Sequence, residues 1–173
     1  MKVLKLNDIL KLNIKEKQKI EDIFNEENTY YNTKLIKIDN QINKLLKHNN
    51  KYYYLFIYKD KKIIAKLRFY IKKIIDKILL GRFIYKNDTY CFIQQVFVSN
   101  RYRQKGLCSI MLKYLDNKVR YKKVLAVEKE NIKAIKCYKK NKFKNIKFEY
   151  DNKMVNEWKL NDIIINDEYL LIK

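Results

Sequence analysis

The chain reads as a mixed α/β domain, and three observations predict it. Apolar residues recur at helical spacing in several stretches, and runs rich in Tyr, Phe, Ile and Val read as strands. The order is two N-terminal helices, a β-meander, then β–α–β–α–β–β, which is the alternation of a mixed α/β fold. With 173 residues and a hydrophobic fraction of 47%, the chain has enough apolar material to fold as one domain, residues 1–173, without disulfide or metal staples.

Val3 to Leu6 reads as a short strand. Ile20, Ile23 and Phe24 mark a helix over about 15–27, and Leu35, Ile38, Ile42, Leu45 and Leu46 mark a second. Tyr52 to Tyr58 is a run of β-formers. It turns at Lys59-Asp60-Lys61-Lys62 and returns as Ile63 to Tyr70, a hairpin. Residues 71–88 admit two readings: a helix on Ile71, Ile74, Ile75, Ile78 and Leu79 stopped by Gly81, or an extension of the strand. Thr89 to Val98 is a long strand. Leu107, Ile110, Met111, Tyr114 and Leu115 mark an amphipathic helix. Lys123 to Val127 is a strand, and 131–141 a helix with Asn131 placed to cap it. Ile146 to Tyr150 and Tyr169 to Ile172 close the sheet. Without Pro, and with two Gly, turns fall to Asn and Asp pairs such as Asn49-Asn50 and Asn87-Asp88.

The formal net charge of +21 suggests a polyanion partner. The competing reading is an AT-rich gene: Lys, Asn, Ile and Tyr abound, Pro is absent, and Arg occurs only at 68, 82, 101, 103 and 120. The Lys residues are spread along the chain, which favours composition over a dedicated nucleic-acid role. Three cysteines without C-x-x-C give no zinc site and no disulfide framework, which suits a reducing, cytoplasmic setting. No apolar run approaches the roughly 18 residues of a membrane span, and the first residues carry no signal-peptide pattern. A soluble protein without a membrane partner is expected, as monomer or homodimer. His48, the one histidine, sits among Lys and Asn at a helix end and reads as a cap.

The informative stretch is Val98 to Ser109, V-S-N-R-Y-R-Q-K-G-L-C-S. A strand runs into a basic turn that opens a helix. The first N–H groups of a helix have no intrahelical partner, and the macrodipole adds positive charge there, so the place suits phosphate. Arg103 and Lys105 add full charges, and Gly106 lets a ligand approach the backbone. An ordinary basic β–α turn is the alternative.

This stretch resembles the acetyl-CoA loop of the GNAT acetyltransferases, R/Q-x-x-G-x-G/A. It reads here as Arg103-Gln104-Lys105-Gly106-Leu107-Cys108, with Val98 and Tyr102 in the expected places. Asn100 stands where the family often has Pro, and Cys108 replaces the last small residue. A second family pattern, N-x-x-A-x-x-x-Y-x-K-x-G-F, is matched by Asn131, Ala134, Tyr138, Lys140 and Phe143. Lys142 takes the Gly place, and Asn141 beside it can supply a left-handed helix end instead. The resemblance implies a strongly curved central sheet of about six to seven strands flanked by about four helices.

It also implies site residues. Val96, Phe97 and Val98 would line the pantetheine arm on a strand splayed from the next. The amides of Gln104, Lys105, Gly106, Leu107, Cys108 and Ser109, with Arg103, would hold the pyrophosphate, and Asn131 would contact the cofactor or cap its helix. Tyr138 would protonate the departing thiolate. Gln94 and Gln95 stand where many relatives place a Glu; a Gln orients water or substrate but is no base. Glu128 is an alternative base, or a solvated charge. The implied reaction is acetylation of an unidentified amine by acetyl-CoA, with no metal. A weak or inactive fold with a basic nucleic-acid-binding surface is the alternative. Glu16, Glu21, Asp22, Glu26 and Glu27 would border the acceptor or form a solvated helix face.

Overall fold

The computed structural model describes residues 1–35, 37–47, 52–74, 78–80, 83–85, 88–145 and 168–173. They form two compact units, Met1–Ile71 with Ile93–Lys118, and Lys72–Phe92 with Val119–Lys173. The mixed α/β architecture expected from the sequence is the one observed.

In the first unit, strand β1 (Lys2–Lys5) runs directly into a short helix α1 (Leu6–Leu10), an element the sequence reading did not anticipate. Helix α2 (Ile14–Tyr30) begins where Asn13 Oδ1 accepts the Glu16 N–H at 2.9 Å, a side-chain N-cap. Helix α3 (Ile38–Lys47) starts three residues later than its apolar pattern suggested; Leu35 lies outside it and is 59% exposed. Strands β2 (Tyr52–Lys59) and β3 (Lys62–Ile74) form the expected hairpin, with Tyr54 opposite Arg68 and Phe56 opposite Lys66. Its turn residues Asp60 and Lys61 have φ of 49° and 62°, the two left-handed positions of a tight hairpin turn. The strand order is β1-β2-β3-β6, where β6 spans Asp88–Val98. The Ser99 N–H donates to Ile64 O at 2.9 Å, so β6 ends beside the start of β3.

The core of this unit is Ile20, Ile23 and Phe24 of α2, Ile38 and Ile42 of α3, and Tyr52, Tyr54 and Phe56 of β2, joined by Phe97. After Val98 comes a single 3₁₀ turn, Asn100–Tyr102, then helix α4 (Leu107–Lys118).

In the second unit, the described residues between 72 and 88 take the strand reading. β3 continues to Ile74, and β4 (Ile78–Leu80) pairs with β5 (Phe83–Tyr85). An isoleucine-rich run fits a strand as well as a helix, so spacing alone could not decide. Strand β7 (Lys122–Glu128) pairs with β9 (Glu168–Ile172), and β9 with β8 (Lys144–Asn145), all antiparallel. Helix α5 (Ile132–Lys140) lies between β7 and β8 in sequence. Cys91 is a buried thiol. The strand expected at 146–150, together with His48, Gly81 and the Asn49-Asn50 turn, lies outside the described residues.

Candidate functional site

The loop from Ser99 to Gly106 has the features its residues imply. Gln104 and Gly106 both hold positive φ, 61° and 78°. A Cβ built on Gly106 would meet nothing within 4 Å, so the space in front of it is open. The need for glycine there is therefore conformational, and the open approach is a consequence. The N–H groups of Gln104, Lys105, Gly106 and Leu107 make no hydrogen bond among the described residues. Four consecutive donors at the head of a twelve-residue helix are an arrangement suited to an anion.

Charge reinforces it. Lys105 is exposed, and its Nζ lies 5.4 Å from the Tyr102 ring centroid; Lys59, at the end of β2, lies 5.5 Å from the same ring. Two ammonium groups thus flank Tyr102 beside the loop. Lys59 is separated from it by some forty residues, so no local pattern could show this.

Arg103 does something the sequence did not suggest. Its Nε donates to Val98 O at 3.1 Å, and its guanidinium lies 3.9 Å from the Tyr30 ring centroid and 5.6 Å from that of Phe97. The Asn100 N–H donates to Glu26 Oε1 at 2.8 Å. The C-terminal end of α2 is therefore tied to the loop twice, by a carboxylate on a backbone amide and by a cation over an aromatic ring.

Of the strand residues, Phe97 is buried in the helix-facing core, while Val96 and Val98 are half-buried. Gln94 is exposed. Gln95 is half-buried, and its Oε1 accepts from Lys66 Nζ at 3.3 Å. An ammonium only donates, so the amide of Gln95 must turn its oxygen to Lys66 and its NH₂ away. Ser109 and Leu107 are half-buried in the first turn of α4.

Lys66 itself was not singled out from the sequence. It is fully buried, paired with Glu27 Oε2 at 2.6 Å, and its Nζ lies 3.9 Å from the Phe24 ring centroid. Burial pushes its ammonium down to about 8, with the Glu27 carboxylate opposing that fall. The signal was present: Ile64, Lys66, Arg68 and Tyr70 share one face of β3, and a lysine among core positions is rare unless paired.

The acidic residues of α2 divide: Asp22 is exposed, Glu16, Glu21 and Glu26 are half-buried, and Glu27 is buried. Glu16 pairs with Lys19, Asp22 accepts from Gln18, and Glu21 accepts the Ile38 N–H at 3.0 Å at the start of α3. Glu26 and Glu27 hold the loop and Lys66 as described.

In the second unit, Asn131 Oδ1 accepts the Ala134 N–H at 3.2 Å and so caps α5. Tyr138 is buried, and its ring packs against Phe143 with centroids 6.0 Å apart. Lys142, and not Asn141, takes the left-handed conformation, with φ of 69° against −92°. The Phe143 N–H donates to Tyr138 O and the Lys142 N–H to Lys139 O, the paired bonds of a Schellman ending. That hydrogen-bond pattern assigns positive φ to residue 142 whatever its side chain, which is why the neighbouring Asn could not substitute for it. Glu128 is exposed at the end of β7. Among the described residues there is no group of His, Cys, Asp and Glu able to hold a metal, and no helix long and apolar enough to cross a membrane.

The model of the acetyltransferase (GNAT) family matches residues 17–143. Among solved structures, the chain is similar to the N-acetyltransferase PseH of Campylobacter jejuni in complex with acetyl coenzyme A, with 21% identity and a TM-score of 0.55 over 99% of this chain and 96% of that one. It is also similar to an acetyltransferase of Thermus thermophilus, with 11% identity, TM-score 0.61, and 94% and 92% coverage. A third is the N-acetyltransferase YlbP of Bacillus subtilis in complex with coenzyme A, with 16% identity, TM-score 0.57, and 94% and 91% coverage. No curated protein matches.

Proposed function

Because the chain belongs to the acetyltransferase (GNAT) family, we propose that it transfers an acetyl group from acetyl-CoA to a primary amine by direct attack on the thioester. The observation that carries this reading is the row of unpartnered N–H groups at Gln104 to Leu107, opened by Gly106 and flanked by Lys59 and Lys105. These groups hold the cofactor's pyrophosphate, joined by the head of α4 at Cys108 and Ser109. Arg103 acts as the latch that sets the loop on β6. Val96, Phe97 and Val98 carry the pantetheine arm along the strand. Asn131 shapes the start of α5 through its cap.

In the reaction the amine lone pair forms the C–N bond, the C–S bond breaks, and the sulfur leaves as thiolate. Tyr138 gives that thiolate a proton, and the amine's proton passes to solvent. An alkylamine has an ordinary pKa near 10.4, so it must be deprotonated before it attacks. Gln95 cannot take that proton. With its oxygen held by Lys66, it presents N–H to the thioester carbonyl, while exposed Gln94 meets water or acceptor.

The test is thiol release from acetyl-CoA across a panel of amines and peptides. Lys105→Glu is expected to weaken acetyl-CoA binding about tenfold. Tyr138→Phe is expected to leave that affinity in place and slow turnover about a hundredfold. Unchanged affinity in the first variant argues against the loop assignment, and an unchanged rate in the second removes Tyr138 from the chemistry.

A further inference from the structure

Two cations face the core of the first unit from β3, and one carboxylate answers them. Lys66 has Glu27. Arg68, two residues on, makes no ion pair among the described residues, and its Nε is buried without a hydrogen-bond partner. Its guanidinium lies over the Tyr52 ring, 5.0 Å from the centroid. Opposite Arg68 in the hairpin is Tyr54, wholly buried, whose hydroxyl meets the Arg68 guanidinium but no acceptor for its own proton. The two groups are close enough that the guanidinium tempers the rise burial gives the Tyr54 phenol. Tyr70 continues the same face, and the Tyr52 and Tyr70 rings meet edge to face at 5.6 Å.

Buried polar groups without partners are costly, and a half-buried guanidinium with no counter-ion more so. A protein that leaves two buried donors without acceptors, Arg68 Nε and Tyr54 Oη, gathered at one place has built a receptor for an acceptor-only group. A carboxylate or phosphate matches the planar guanidinium fork and the phenol together.

Its place along the strand says which molecule brings that group. Ser99, at the loop, bonds Ile64, and Arg68 lies four residues further along β3, about 13 Å from that point at about 3.3 Å per residue, on the same face as Lys66, which reaches Gln95. With the pyrophosphate at the loop and the arm running along Val98 to Val96 toward Gln95, Arg68 lies toward the cofactor's reacting end, where the acceptor must come. We infer that the acceptor is an amine that also carries an anionic group, a carboxylate or a phosphate, held by Arg68 and Tyr54. This rests on the acetyltransferase reading above and narrows its substrate class.

The experiment pairs each anionic amine with its neutral counterpart, using the full chain saturated with acetyl-CoA. Aminocarboxylates from glycine to 5-aminovalerate are set against their methyl amides, and phosphoethanolamine against ethanolamine. Binding is read by thermal shift and calorimetry, and transfer by thiol release. The expected result is at least one anionic amine bound ten times or more tighter than its counterpart. Arg68→Gln should erase that ratio while leaving acetyl-CoA affinity unchanged, and Arg68→Lys should retain part of it. Which arm responds tells carboxylate from phosphate. Should Arg68→Gln not fold, the wild-type ratio and Arg68→Lys still decide. Equal or better binding of the neutral members, or a ratio indifferent to both Arg68 variants, overturns the inference. So does a protein that binds acetyl-CoA and none of the anionic amines. Failure to bind acetyl-CoA at all would instead overturn the reading on which it rests.

Discussion

At Lys66 a full positive charge sits in a core, with Phe24 under it and Glu27 against it. Removing one partner leaves the other buried and uncompensated, so Glu27→Gln should cost about 3 kcal/mol in urea unfolding. Replacing both by apolar residues, Lys66→Met with Glu27→Leu, should cost far less. The pair also sets a pH signature. The folded chain lowers the lysine from 10.5 to about 8, chiefly through burial. Between those values the unfolded chain holds more protons, so stability rises as pH climbs through that window, by at most about 1.4 kcal/mol per unit. Above about pH 10 the phenols of Tyr54 and Tyr70 oppose this. Burial raises both from 10.0 to about 12, so their contribution is complete below 10 and lost as pH climbs through 12. Unfolding measured between about pH 8 and 9.5 isolates the lysine. The rise should be present in the wild type and missing from the double variant, and equal profiles would contradict the assignment.

At the scale of elements, most boundaries were legible because the chain's own spacing encodes them. Asp60-Lys61 between two runs of β-formers announced a tight hairpin turn, and Asn131 announced the cap of α5. What was illegible depended on partners distant in sequence. Leu35 has helical spacing with Ile38 and Ile42 but is left outside α3, which starts where Glu21 of α2 meets the Ile38 amide. The latch between Glu26, Tyr30 and the loop likewise joins residues some seventy positions apart. The end of α5 failed for a different reason. Tolerance of positive φ was assigned to the neighbouring Asn, whereas the Schellman bonds place it on Lys142. A lysine in the left-handed region costs roughly 1–2 kcal/mol, and glycine's greater unfolded-state freedom returns part of that. Lys142→Gly should therefore stabilise the protein by about 1 kcal/mol in denaturant titration. A loss of stability would show that the Lys142 side chain makes a contact worth more than the strain.

For the molecule as a whole, the charge of +21 draws any polyanion, so attraction alone cannot identify a ligand. What separates a specific coenzyme site from a generally basic surface is whether four named backbone amides respond. A ¹⁵N–¹H correlation spectrum of the labelled protein, titrated with acetyl-CoA at moderate salt, measures that directly. The amide signals of Gln104, Lys105, Gly106 and Leu107 should move furthest and downfield, saturating together at one equivalent. Small shifts scattered over the lysine-rich surface, with those four amides unmoved, would contradict the account.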